Sequence, residues 1–267
     1  MRADRFDEIF KLLFTGEHAL LKDIRFSHLW AAKLVDWQRQ LVEERGYQGG
    51  SITHVIHSFT FAPHRFESFY TPLFNLLMII PAVIWVLKAI ATDWRDPKAS
   101  SRAKRALEAI DAQFILDLGL ISDYGAICLR MLRHFDSHSK DPSLTRSIIR
   151  QWEKQTNYLF RDCNIFRRVS PASPQAASLA PSQASDEPGP VPLESESMCK
   201  TATQIAMEQI SYIAEHDYAD RIRAFQSVPP TQLLEEGIGQ MNQVVVAAQA
   251  RVAADFTDST DLYMCLE

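Results

Sequence analysis

Glycine is scarce in this chain, with nine in 267 residues. Turn-rich β-sandwiches and glycine-rich nucleotide folds need more of it, whereas helix bundles do not, so the shortage points to an all-α fold. Cysteine is equally thin. Cys128, Cys163, Cys199 and Cys265 stand far apart, with no C-x-x-C pair and no paired histidines nearby. That excludes a disulfide framework and a zinc module. No apolar run follows the opening Met-Arg-Ala-Asp-Arg, so no secretory leader is expected and a reducing compartment fits. The signatures of P-loops, dinucleotide folds, zinc proteases and serine hydrolases are missing as well.

What is present is helical periodicity. Phe6, Ile9, Phe10 and Leu13 share one face, and Trp30, Leu34, Trp37 and Leu41 share another behind Ser27, a plausible N-cap. Residues 52–61 alternate loosely and are rich in β-branched and aromatic side chains, which predicts an extended segment with no evident strand partner. Pro72 suits a first helical turn, and Pro81 should kink or end the helix that follows. Asp96-Pro97 leads into the strongest pattern, residues 99–136, which predicts one long amphipathic helix or two nearly collinear ones. Gly119 and Gly125 on that stretch would let a neighbouring helix approach closely. Asp141-Pro142 reads as N-cap and first residue of a further helix carrying Leu144, Ile148, Trp152 and Leu159.

Residues 169–197 hold six prolines, many serines and no aromatic residue, the composition of a disordered linker. Beyond it, residues 200–225 and 230–254 predict two helices with thin apolar stripes that need a partner surface. The expected architecture is all-α: a bundle of about five helices over residues 1–168, a disordered Pro/Ser-rich linker over 169–198, and an acidic helical hairpin over 199–267. The apolar run 72–91 is nearly long enough to span a membrane, but Asn75, Pro81 and Lys88 interrupt it. A buried core helix and a membrane anchor are the two readings.

The net charge of −5 is unevenly spread. Residues 1–97 balance at 11 basic and 11 acidic groups, residues 98–168 carry 13 against 8, and residues 169–267 carry 4 against 14. A basic middle can attract phosphate while an acidic tail repels it, although solvated faces would show the same totals. Asp111, Asp117 and Asp123 fall six apart, about 600° of helix, and are expected on solvated faces. His54, His57 and His64 lack the further ligands that would close a metal shell. No metal or cofactor is expected. In the segment His64-Arg65-Phe66-Glu67-Ser68-Phe69-Tyr70, the aromatics and arginine could stack bases and hold phosphate, or begin the core face of the next helix.

The stretch FAPHRFESFYTPLFNLLMIIPAVIWVLKAIATD, then SSRAKRALEAIDAQFILDLGLISDYGAICLRMLRHFDS and SLTRSIIRQWEKQTN, resembles the helical insertion region of hAT-family transposases, over residues 50–160. Within that family it is most similar to the domesticated, zinc-finger-protein-862-like branch. The family's Arg-Trp opening is here Arg65-Phe66, its acidic helix end falls at Asp93, its lysine-rich piece spans 102–107, and Phe114 opens the long helix. The resemblance implies a helical region that helps bind a transposon end. Family members cut DNA with three metal-binding carboxylates on a ribonuclease H-like core, and no Asp or Glu here matches that triad. Neither the family's zinc finger nor its dimerisation signature is found.

The resemblance therefore implies a non-catalytic, transposase-derived nuclear protein, not an enzyme, that contacts nucleic acid or a chromatin-associated protein. Its candidate nucleic-acid-binding residues are Arg65, Phe66, Arg102, Lys104 and Arg105. The alternatives are a cytoplasmic or nuclear interaction module that docks a protein partner through residues 200–254, and a membrane-associated protein anchored through residues 72–91. Oligomeric state stays open.

Overall fold

Prolines and short acidic caps cut the apolar runs of this chain into helices, and a computed structural model shows where each cut falls. It describes residues 3–17, 19–45, 55–56, 59, 67–93, 95–136, 142–166, 200–215 and 230–264. Every regular element among them is helical, as the composition predicts. α1 (Ala3–Phe10) runs into a π-turn, Lys11–Thr15, and is followed by α2 (Leu20–Phe26) and α3 (His28–Arg45). Next come α4 (Glu67–Met78), α5 (Ile80–Ala91), α6 (Pro97–Ala109) and α7 (Ala112–Asp136). α8 (Pro142–Thr156) continues through a second π-turn, Asn157–Arg161, and α9 (Ala202–Glu215) and α10 (Pro230–Met264) complete the set.

The described residues within 1–168 hold eight α-helices rather than about five, because local caps divide the longer runs. The Ser27 carbonyl accepts from the Ala31 amide at 3.0 Å as α3 starts. Asp96 Oδ1 accepts from the Lys98 and Ala99 amides at the start of α6, with Pro97 as its first residue. Asp111 Oδ1 accepts from the Phe114 amide at 2.6 Å, so the 99–136 pattern is two helices. Pro81 near the start of α5 marks a 77° bend between α4 and α5. Pro72 lies inside α4, one turn deeper than expected, where it removes a backbone donor.

The apolar run over 72–91 is core. Every residue from Ile80 to Leu87 is buried, against α3 and α6, and Trp37 meets Trp85 at 5.0 Å between centroids. A fully buried Leu or Ile contributes roughly 1.5–3 kcal/mol, which makes α5 a strong organiser of the fold. Among the described residues no single helix is long and apolar enough to cross a membrane; α4 and α5 pass by length and composition only as a bent pair. Of the expected extended segment, residues 55, 56 and 59 are described. The fully buried Gln38 side chain of α3 pairs with the Ile56 backbone through both ends of its amide: Oε1 accepts from the Ile56 N–H at 2.7 Å and Nε2 donates to the Ile56 carbonyl at 3.0 Å, as a strand neighbour would.

α7 is the central helix. α4, α8, α9 and α10 all pack on it. The close approach expected at Gly119 is seen: a Cβ there would stand 2.8 Å from Ala206 Cβ and 2.9 Å from Thr203 Cα of α9. Gly125 faces Tyr70 of α4 in the same way. The thin stripes of α9 and α10 find their partner surface on α7 of the same chain, and Ala202, Ala206, Ile213, Leu234, Met241 and Val245 belong to the common core. Each of the two helices packs chiefly on α7. The expected linker at 169–198 lies outside the described residues.

Candidate nucleic-acid interface

α6 carries three of the five candidate residues, and its rotation separates them. Ala99, Ser100, Ala103 and Ala106 form its buried face. Arg102 stands at the edge of that face, and its guanidinium reaches Asp23 of α2 at 3.2 Å with both side chains mostly covered. Its Nε is buried with no hydrogen-bond partner among the described residues. Arg102 therefore ties α6 to α2 and has little left to offer a phosphate. Lys104 and Arg105 face solvent. Arg65 and Phe66 lie outside the described residues, as do His54, His57 and His64. Of the neighbouring aromatics, Phe69 is core-facing, with ring contacts to Phe10 at 4.9 Å and Phe14 at 5.5 Å. Tyr70 packs on Gly125, and its hydroxyl is pushed up by burial and by the Asp123 charge, against the lowering pull of Arg130 and Arg133.

A second basic surface lies on α8 and was missed in the sequence. Arg146, Arg150 and Lys154 recur at intervals of four, so they share one helical face about 6 Å apart along the axis. All three are exposed, as is Arg161 in the following π-turn. No ion pair engages these four groups among the described residues. Trp152 and Thr156 occupy the opposite face and anchor it, with Trp152 3% exposed and Thr156 fully buried. Arg130 and Arg133, exposed near the end of α7, extend the basic region beside α8. The sequence signal was the i, i+4 spacing, which a regional charge total does not reveal.

Two of the three aspartates depart from the solvated faces expected of them. Asp111 is exposed and caps α7. Asp117 is fully buried, with Arg5 Nε at 2.6 Å and Gln113 Nε2 donating at 2.7 Å. Asp123 is buried and caps α9, accepting from the Ala202 and Thr203 amides at 2.7 and 2.9 Å and from the Thr203 hydroxyl at 2.6 Å. Burial raises both carboxyls above the usual range; hydrogen bonds oppose it in each case, joined at Asp117 by the Arg5 charge. Both aspartates do structural work. Cys128 is a core thiol pushed up by burial, partly offset by Trp152 and Tyr124, which is the opposite of an activated nucleophile. Among the described residues no three His, Cys, Asp or Glu side chains are grouped so as to hold a metal ion.

Comparison with protein families, curated proteins and solved structures returned no match.

Proposed function

We propose that this chain is a non-catalytic, transposase-derived nuclear protein that binds nucleic acid through the basic face of α8. The observation that carries the reading is the row Arg146, Arg150, Lys154 and Arg161, exposed and without ion pairs among the described residues. Exposed cations gain little from intramolecular pairing in water, but each one set against a phosphate releases a condensed counterion. Lys104 and Arg105 on α6 form a secondary contact. Arg102 is removed from the set because Asp23 already holds it. The resemblance to the hAT insertion region supports the same assignment, since that region contacts transposon ends by its helices.

Salt-dependent binding tests the proposal. With about four phosphates neutralised, the logarithm of the association constant should fall against the logarithm of salt with a slope of roughly −3 to −4 on duplex DNA. Reversing Arg146, Arg150 and Lys154 to Glu should flatten that slope by about three units and abolish retention near physiological salt. Arg102→Ala should leave the slope unchanged. A wild-type chain that shows no retention at low salt, or a triple variant that binds as the wild type does, refutes the reading.

A further inference from the structure

The row of cations on α8 runs into an aromatic residue. Tyr158 follows Lys154 by four residues, the same step that separates Arg146, Arg150 and Lys154, so its ring continues their face. It is 41% exposed and engages no hydrogen bond or ring contact among the described residues. Its backbone is nevertheless fixed. Thr156 before it and Phe160 after it are fully buried, and the Phe160 ring meets Tyr124 at 6.2 Å between centroids. Gln249 of α10 donates to Thr156 Oγ1 at 3.0 Å and to Asn157 Oδ1 at 3.2 Å. Core packing thus accounts for Trp152 and Phe160 but not for Tyr158, a ring held out on a pinned turn that its own fold does not use.

Against the four cations, residues 142–162 carry two acids, half-buried Glu153 and exposed Asp162. The face is net positive, and phosphate is its complement. Phosphate alone has no need of the ring. In a duplex the bases are paired and stacked inside, so a side chain meets phosphate, sugar and base edges rather than a π-face. A single strand can turn its bases outward while its backbone follows the cations, and every base has a π-face to lay on an aromatic ring. Arg146 to Lys154 spans about 12 Å along the axis, a straight line that a flexible strand can follow where a duplex strand winds away.

Resting on the α8 reading above, we infer that this face takes single-stranded DNA in preference to duplex, with phosphates on Arg146, Arg150, Lys154 and Arg161 and one base stacked on Tyr158. Duplex DNA meets the same cations without the stack and binds more weakly. RNA gains nothing further, because the four cations only donate hydrogen bonds and none can accept one from a ribose 2′-hydroxyl.

Fluorescence anisotropy of the full chain with labelled oligothymidylate of about 12 nucleotides, oligouridylate and a duplex of the same length tests this at one salt concentration. Oligothymidylate should bind more tightly than duplex and no more weakly than oligouridylate. Tyr158→Ala should remove that preference, weakening oligothymidylate about tenfold while leaving duplex affinity and both salt slopes unchanged. Tyr158→Phe, which keeps the ring, should bind as the wild type does. Unchanged duplex binding also shows that Tyr158→Ala is folded. Equal affinity for single strand and duplex, tighter binding of oligouridylate, or equal loss of both DNA forms in Tyr158→Ala would each overturn the inference while leaving the α8 cations in place. A wild-type chain that binds none of the three would overturn the α8 reading as well.

Discussion

The seating of α9 on α7 can be tested with one substitution made at two glycines. Alanine is about 1 kcal/mol better than glycine in a helix interior, so Gly→Ala on an open helical surface should stabilise the protein. Gly239 of α10 is such a place, with nothing within 4 Å of a Cβ added there. Gly119 is the opposite. Its added Cβ would lie 2.8, 2.9 and 3.0 Å from Ala206 Cβ, Thr203 Cα and Ala202 O, about 1 Å inside normal carbon contact and against the α9 backbone or a rigid Cβ. Overpacking of this kind costs about 1–3 kcal/mol. If α9 backs away instead, the three hydrogen bonds that Asp123 accepts must lengthen. Bonds to a charged acceptor contribute about 1.5–3 kcal/mol each, so even one lost outweighs the propensity gain. Gly119→Ala should therefore destabilise by roughly 1–3 kcal/mol net, while Gly239→Ala stabilises by about 0.5–1 kcal/mol. Urea unfolding followed by far-ultraviolet circular dichroism should show midpoints displaced in opposite directions. Displacement of both in the stabilising direction would mean that α9 does not rest on Gly119 in solution.

Two further outcomes follow from the buried charges. Arg102→Ala breaks the partly covered pair with Asp23 and should cost about 1–3 kcal/mol in the same urea experiment, through lost packing and an orphaned carboxylate; unchanged stability would place Arg102 in solvent. Asp123 has a folded-state pKa raised by burial, so its linked stability is fully present below its unfolded pKa and is lost as pH rises through the raised value. Asp123→Asn should accordingly show its largest deficit at acid pH, narrowing as pH climbs above the ordinary carboxylate range; a deficit that widens with pH would reverse the assigned sign.

What could be read from the sequence was whatever acts locally. Asp96-Pro97, Pro81 and Ser27 mark helix ends because a cap or a missing donor works within a turn, and each mark agrees with the structure. Gly119 was legible for the same reason, a small residue on a strong apolar stripe. Asp117 and Asp123 were not, because the groups that make their burial tolerable are distant in sequence. Arg5 sits at the other end of the bundle's chain, and Thr203 is 80 residues on, across the proline-rich stretch. Periodicity describes which face a residue occupies, not what another segment brings to that face. Arg102 illustrates an avoidable miss. Ala99, Ala103 and Ala106 already marked the inner face of α6, and Arg102 borders it at three and four residues' distance.

The fold also accounts for how an acidic chain can present a basic surface. α7 has Asp111 at its entrance, grouped with Glu8, Glu108 and Glu236, and Arg130 and Arg133 near its exit. At 1.5 Å per residue, Asp111 and Arg133 are about 33 Å apart along the axis. α8 lies against the exit half, since its Trp152 neighbours Cys128 and Phe160 meets Tyr124 at 6.2 Å. The Debye length at physiological salt is about 8 Å, so the carboxylates at one end of α7 are screened several times over before their field reaches the cations at the other. The net charge of −5 therefore says little about phosphate binding at α8. Neutralising Glu8 and Glu236 should leave the salt slope for DNA unchanged. A steeper slope would show that the two ends of α7 share one field.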